Sequence, residues 1–383
     1  MWRMADSTPL SLKVYPRIAE IGQAVWEACA GTDNPFLSYG FLSALEDSFS
    51  VGGRSGWHPR YAALTDDAGE IAAVAPSYAK THSQGEYVFD HSWANAFEQA
   101  GGRYYPKLQI AAPFSPVPGP RLLRRPGVSV AAMGQALEAL AEELGCSSTH
   151  VTFCTEEEWR ALGAAGWLQR LGMQYHWDNQ GYANFDGFLE ALSSRKRKAI
   201  KRERREAQEG LTFRALSGAE LTPEVWRQFY RFYTETTDRK WGGAYLTPAF
   251  FPLLGERLSE NVVLMFAYRD GQPIAGALNL RGGDVLYGRN WGCVEDVPFL
   301  HFELCYYQAI DYAIAHGLKR VEAGAQGEHK IQRGYLPQPT YSVHSIRHSG
   351  LRHAVADFLE AETAQLQGLM AEMRDEGPYR KEG

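Results

Sequence analysis

The chain has 383 residues, about twice the usual length of a domain, so two domains are expected. Its hydrophobic and charged fractions, 45% and 22%, are those of a globular protein, and a net charge of −6 gives no overall pull toward nucleic acid or anionic membrane, so any basic site has to be local. Five cysteines with no Cys-x-x-Cys pair argue against a disulfide framework and against a structural zinc site.

The amino terminus lacks the apolar core of a signal peptide, and no later apolar run is long enough to span a bilayer, which points to the cytoplasm. Residues 10–21 have strand and turn character, and 23–30 suit a short helix. Asn34-Pro-Phe-Leu-Ser38 interrupts the chain before a helix over 39–48 with Phe41, Leu42 and Leu45 on one face. Residues 58–64 and 71–78 predict a hairpin through Asp66-Asp67-Ala68-Gly69, and 87–89 a further strand running into Asp90. The Pro-rich and Gly-rich segment 104–125 reads as an ordered connection outside any sheet interior. A helix over 130–144, a strand over 148–153 and a helix over 156–165 follow, and 175–182 closes the first half.

The second half opens with a helix over 185–192 and the basic run 195–205, which holds eight cations against one acid. Next come a strand at 211–215, a helix carrying Val225, Phe229, Phe232 and Tyr233, and a helix over 248–258. The strands 262–268 and 274–280 form a second hairpin, followed by a strand at 284–291, a helix at 301–316 and a strand at 319–323. A last strand at 341–347 precedes a closing amphipathic helix. The segments Asp67-Ala-Gly-Glu-Ile-Ala-Ala-Val-Ala75 and Asp270-Gly-Gln-Pro-Ile-Ala-Gly-Ala-Leu278 resemble each other at a spacing of roughly 200 residues, which fits a duplicated domain. The element order is that of an acetyltransferase-type α/β domain, so the expected fold is α/β (α+β) with two tandem GNAT-like domains. They are expected over residues 1–183 and 184–383, each a mixed sheet flanked by helices.

The chemistry is concentrated in the stretch from Val321 to Pro337, which sets two carboxylates, a histidine, a lysine and an arginine among three glycines. Those are the ingredients of a site that binds an anion and moves a proton, although a buried ion-pair network would use the same residues. Attack of an amine on an ester or thioester needs a proton acceptor, for which Glu322 and His329 are candidates, and positive charge near the carbonyl oxygen, which Lys330 supplies. Gln326 and Arg333 are candidate substrate contacts, Arg333 through a bidentate fork or else in a structural salt bridge. On the strand before it, Tyr287, Arg289 and Trp291 share one face. Asp90 and His91 stand at the matching place in the first half, as a pocket wall or as structural groups. Within the basic run, Arg197 and Lys201 are candidate phosphate contacts, with a solvated helix face as the plain alternative. A Cys/His nucleophile at His301 and Cys305 is rejected because Cys305 packs inward, and no spacing suits a metal.

Together, Asn34-Pro-Phe-Leu-Ser38, Gly119-Pro-Arg-Leu-Leu123, Leu286-Tyr-Gly-Arg-Asn-Trp-Gly-Cys293, Leu300-His-Phe-Glu-Leu-Cys-Tyr-Tyr-Gln308 and Glu322-Ala-Gly-Ala-Gln-Gly-Glu-His-Lys330 resemble the FemAB-like proteins of peptidoglycan biosynthesis or recognition. The resemblance implies the tandem GNAT fold and an N-acyltransferase. Its donor would be aminoacyl-tRNA, with acyl-CoA second, its acceptor the amine of a peptidoglycan precursor or small molecule, and no cofactor would be bound tightly. Fem aminoacyltransferases carry a Phe-Lys pair whose lysine steadies the oxyanion. Lys330 matches that lysine, while His329 stands where the aromatic would be. Between Trp291 and Phe302 the chain has one glycine and two acids, a poor cradle for the pyrophosphate of coenzyme A. The rival from another class is a protein that binds a cell-wall fragment without turnover.

Overall fold

Short β-branched and aromatic runs punctuated by glycine and proline make the strands of the computed structural model, which describes residues 10–241, 243–324 and 327–380. In chain order they are β1 (Ser11–Tyr15), β2 (Trp57–Pro59), β3 (Tyr61–Thr65), β4 (Ile71–Ala75), β5 (Ser77–Lys80), β6 (Lys107–Ile110), β7 (Leu123–Arg124) and β8 (Ser148–Cys154). Then come β9 (Leu168–Asp178), β10 (Thr212–Leu216), β11 (Val262–Arg269), β12 (Gln272–Gly282), β13 (Val285–Cys293), β14 (Arg320–Glu322) and β15 (Leu336–Ile346). The chain forms two compact units. The first takes residues up to Thr32, Phe36–Gly172 and Thr340–Thr363, and the second Asp33–Pro35, Met173–Pro339 and the residues from Ala364 on. The segment Thr340–Thr363 thus falls with the first unit, whereas a single division after residue 183 assigns it to the second. Its apolar side chains explain why: Val343, Ile346, Leu351 and Val355 are buried in first-unit cores.

In the first unit an antiparallel sheet runs β1-β3-β4-β7, and a second row runs β2-β5-β6-β8-β15. Only β6 and β8 are parallel there, with Leu108, Gln109 and Ile110 opposite Thr149, His150 and Val151. Its helices are α1 (Gln23–Ala30), α2 (Tyr39–Asp47), α3 (His91–Gln99), α4 (Val130–Glu143) and α5 (Glu156–Ala164). Ser38, Ser129 and Thr155 cap α2, α4 and α5, and Glu158 completes a capping box on the last. In the second unit the order is β10-β11-β12-β13-β14-β9, with β13 and β14 its parallel pair. Its helices are α6 (Phe185–Ala191), α7 (Ser194–Gln208), α8 (Pro223–Trp241), α9 (Phe250–Leu258), α10 (Leu300–Phe302), a π turn over Glu303–Tyr307, and α11 (Gln308–Ala315). The last helix of the chain is α12 (Ser349–Asp375).

Three expectations from the sequence are corrected. The two strands at 58–64 and 71–78 are each broken in two, at Pro59-Arg60 and at Pro76, where proline removes a ladder donor. Residues 87–89 form no strand, and Asp90 instead precedes helix α3. The segment at 104–125 does contribute a sheet interior, since every residue of β6 is buried. Lys107 gives β6 a polar look in sequence. Its ammonium, though, is buried against Asp90 (2.5 Å), Glu86 (2.7 Å) and Ser83 (2.8 Å), with Tyr104 also donating to Asp90 (2.7 Å). Among the described residues no helix is long and apolar enough to cross a membrane.

Candidate active site

The second unit's parallel pair is short. Val285, Leu286 and Tyr287 lie opposite Arg320, Val321 and Glu322, after which β14 ends and β13 continues for six residues to Cys293. The register of β12 against β13 slips by one residue past Asn279, so β13 bulges at Arg289 and Asn290. Beyond Glu322 the chain turns away at Gly324, whose φ of 77° is left-handed. Parting strands expose backbone groups that nothing in the sheet can satisfy. Lys330, on the short helical turn Glu328–Arg333, satisfies two of them, since its Nζ donates to the carbonyls of Ala323 (2.7 Å) and Gly324 (3.2 Å). Next to this point lies a cavity of about 80 Å³ lined by Arg289, Asn290 and Trp291 of β13, by Ala323 just past β14, and by His301, Cys305 and Tyr306 from the helical side. The helical wall includes the π turn, a geometry that wide hydrogen-bond spacing keeps rare outside functional positions.

Burial sets the electrostatics of this corner. Lys330 is 3% exposed, and desolvation lowers its ammonium to about 8 from the ordinary 10.5, with Cys305 pulling the other way. Glu322 is 7% exposed, and desolvation pushes its carboxyl up to about 8, with Arg320 and Arg289 opposing and Asp178 adding to the rise. One carboxylate oxygen, Oε2, has no hydrogen-bond partner among the described residues and lies 3.9 Å from Nε2 of His176, the residue opposite Glu322 on β9. Burial, aided by Arg320 and Lys330, drops the His176 ring to about 3, so it is neutral at ordinary pH. A base near its working pH, a cation poised at a backbone turn and an adjoining cavity are what transfer of an acyl group to an amine requires.

The other expected site residues fare differently. His329 is exposed, but its Nε2 lies 2.9 Å from the hydroxyl of Tyr306, which lines the cavity. Arg289 and Trp291 line the same cavity, and Tyr287 is buried opposite Glu322. Arg333 does not offer its fork to a ligand: Nε and Nη2 bind the two oxygens of Glu203 at 3.2 and 3.0 Å, Nη1 binds the carbonyl of His329, and the guanidinium stacks 3.5 Å over Phe302. Gln326 lies outside the described residues. Asp90 is buried in the first unit's ion-pair network and Lys107 holds it below the usual carboxylate range despite burial, while His91 is exposed and stacks on Phe89. Neither stands where the alignment of the two halves put it. The strand of the first unit that corresponds to β13 is β6, because β6 is the one parallel to β8.

On α7, Arg204 is committed to Glu303 and Asp311, and Lys201 pairs with Asp186 at 3.1 Å while lining a shallow surface groove. Arg197 is half-buried, and Arg195, Lys198, Arg202 and Arg205 are exposed. Sequence reasoning missed His176. The signal was there: Gln174, His176 and Asp178 alternate with Tyr175 and Trp177, which gives β9 a polar face opposite an aromatic one.

In the comparison with known proteins, the profile of the FemAB-like family, described as peptidoglycan biosynthesis/recognition, matches residues 17–381. No curated protein sequence matches the chain. Among solved structures, FemX superposes with a TM-score of 0.55 at 12% identity over 87% of this chain and 97% of its own. The C-terminal domain of a putative lysylphosphatidylglycerol synthetase from Agrobacterium fabrum gives 0.54 at 10% identity over 90% and 96%. L-PGS from Bacillus licheniformis gives 0.51 at 11% identity over 86% and 98%. Identities this low speak for a shared fold, the tandem α/β architecture expected from the sequence.

Proposed function

The chain belongs to the FemAB-like family, and from that premise we propose that its second unit transfers an acyl or aminoacyl group to an amine, by direct attack and without a covalent enzyme intermediate. The observation that carries this reading is the buried pair Lys330 and Glu322 at the point where β13 and β14 part, beside the lined cavity. In it, the donor carbonyl lies near the Lys330 ammonium, which stabilises the oxyanion of the tetrahedral intermediate. Glu322 takes the proton that the amine must lose. His329 acts only through Tyr306 and orients the cavity wall.

We favour aminoacyl-tRNA over acyl-CoA as the donor, on two grounds. The loop after β13, from Val294 to Phe299, holds no glycine and two acids, Glu295 and Asp296, and Glu295 is bound to Arg269 at 2.9 Å. Helix α7 presents exposed cations suited to a run of phosphates. The acceptor is the amine of a cell-wall precursor or a smaller molecule of the same kind. The deciding experiment is donor-dependent acylation of amines by the purified protein, followed by mass spectrometry. Wild type is expected to transfer and Glu322→Gln to lose roughly 10²-fold or more in kcat with its fold intact. Donor and acceptor that bind without turnover would instead identify a recognition protein. A second expected result concerns α7: Arg197→Glu with Lys201→Glu weakens tRNA binding, and flattens its dependence on salt, by about one phosphate contact per residue. Filter binding between 50 and 200 mM salt measures both.

A further inference from the structure

We propose that the cavity at the outer end of β9 is the acceptor site, taking a primary amine that also carries an acid group, and that His176 passes the amine's proton to Glu322. The proposal rests on the transfer reaction assigned above. The cavity has a volume of about 420 Å³ and is distinct from the one between β13 and the π turn. Its lining includes the deeply buried His176, 4% exposed, whose Nδ1 has no hydrogen-bond partner among the described residues. The other ring nitrogen is engaged: Nε2 lies 3.3 Å from Oε1 of Gln174 and 3.9 Å from Oε2 of Glu322. The amide oxygen of Gln174 is an acceptor, which places the ring proton on Nε2 and leaves a lone pair on Nδ1. A buried neutral imidazole in that tautomer carries an acceptor to which the described residues supply no donor.

The rim supplies the second half of the recognition. Arg380 gives only Nε to the carbonyl of Leu192 (3.2 Å), and Arg374 gives Nε and Nη2 to Pro337 (3.2 and 3.0 Å). Among the described residues, terminal guanidinium nitrogens of both therefore remain to hold a carboxylate at the mouth. The charged groups around the imidazole are Glu322 and Arg320 on β14, Asp178 on β9, Lys330, and Arg374, Asp375 and Arg380 at the rim.

The step balances as follows. The bound ammonium gives one proton to Nδ1 of His176 while Nε2 releases its own to the Glu322 carboxylate. The amine nitrogen then forms its bond to the donor carbonyl carbon. The bond from that carbon to the ester oxygen, or thioester sulfur, breaks, and the leaving atom takes the second nitrogen proton. Glu322 then hands its proton back to Nε2 while Nδ1 releases one through the cavity to solvent, which restores the starting tautomer.

The test uses the full chain labelled with 15N-histidine and Nα-acetyl-L-lysine as probe. The Nδ1 resonance of His176, identified by its loss in His176→Gln, is expected to move on titration. Gln180→Trp, at the mouth, is expected to weaken the probe tenfold or more. In the transfer assay His176→Gln is expected to lower kcat about 10²-fold with the KM for donor unchanged, and Gln180→Trp to raise the KM for amine with kcat retained. A His176 resonance that ignores saturating probe overturns the acceptor site. A moving resonance with full kcat in His176→Gln overturns the proton relay. If wild type transfers nothing, the reaction assigned above fails, and the resonance alone still decides whether the cavity takes an amine.

Discussion

The rate of transfer is expected to peak near pH 8 and to fall on both sides of it. Below that pH Glu322 holds its proton and cannot act as a base, because burial has raised its carboxyl to about 8. Above it Lys330 loses the charge that steadies the oxyanion, because burial has lowered its ammonium to about 8. Glu322→Gln should remove the acid limb along with most of the rate. Lys330→Met should cost roughly 10²- to 10³-fold in kcat, the usual effect of deleting one oxyanion donor, and should flatten the alkaline limb. The same two groups act on stability with opposite signs. Glu322 binds its proton more tightly folded than unfolded, so its contribution is complete below the ordinary 4.5 and is lost as pH rises toward 8. Lys330 binds its proton more weakly when folded, so stability recovers between about 8 and the ordinary 10.5. Thermal melts from pH 5 to 10 should therefore show a shallow minimum near 8, absent from the double variant Glu322→Gln, Lys330→Met.

Lys107→Met in the first unit should be the most destabilising single change, by about 3–5 kcal/mol, the usual effect of breaking a buried ion pair from one side. The ammonium is fully buried and its two carboxylates keep its proton on in spite of desolvation. Without it, Asp90 and Glu86 remain in the interior with Lys80, 3.7 Å from Glu86, as the one cation still paired to them among the described residues. Chemical denaturation measures the loss. Adding Asp90→Asn and Glu86→Gln to Lys107→Met should restore part of it, because the uncompensated charges, more than the missing contact, carry the cost.

Where hydrophobic rhythm and turn chemistry agree, the sequence is enough to place an element, as at α1, the β11–β12 hairpin and α4. It misleads where buried polar groups are matched from far away. Strand β6, Lys-Leu-Gln-Ile, looks solvent-facing until Asp90 and Glu86, some twenty residues earlier, are placed on Lys107, and Thr152 on Gln109. The same blindness affects the site. Lys330 and Glu322 stand out locally, crowded between glycines, whereas Arg333 looks equally available and is taken by Glu203, 130 residues away. His176 is ordinary in its own neighbourhood and becomes conspicuous only opposite Glu322.

The first unit repeats the geometry of the second up to the last paired residue and then fills it. Phe153 takes the left-handed turn (φ 55°) that Gly324 takes in the second, but there Arg121 closes the gap. Its Nε binds the carbonyl of Thr152 at 2.9 Å, and its terminal nitrogens bind the carbonyls of Val117, Gly119 and Pro120. Each of its three guanidinium nitrogens is thus held by backbone carbonyls and turned away from a substrate's service. A duplicated chain would ordinarily be counted as having two reaction centres. This one should give an end point of a single equivalent per polypeptide when titrated with a tight, non-transferable donor mimic.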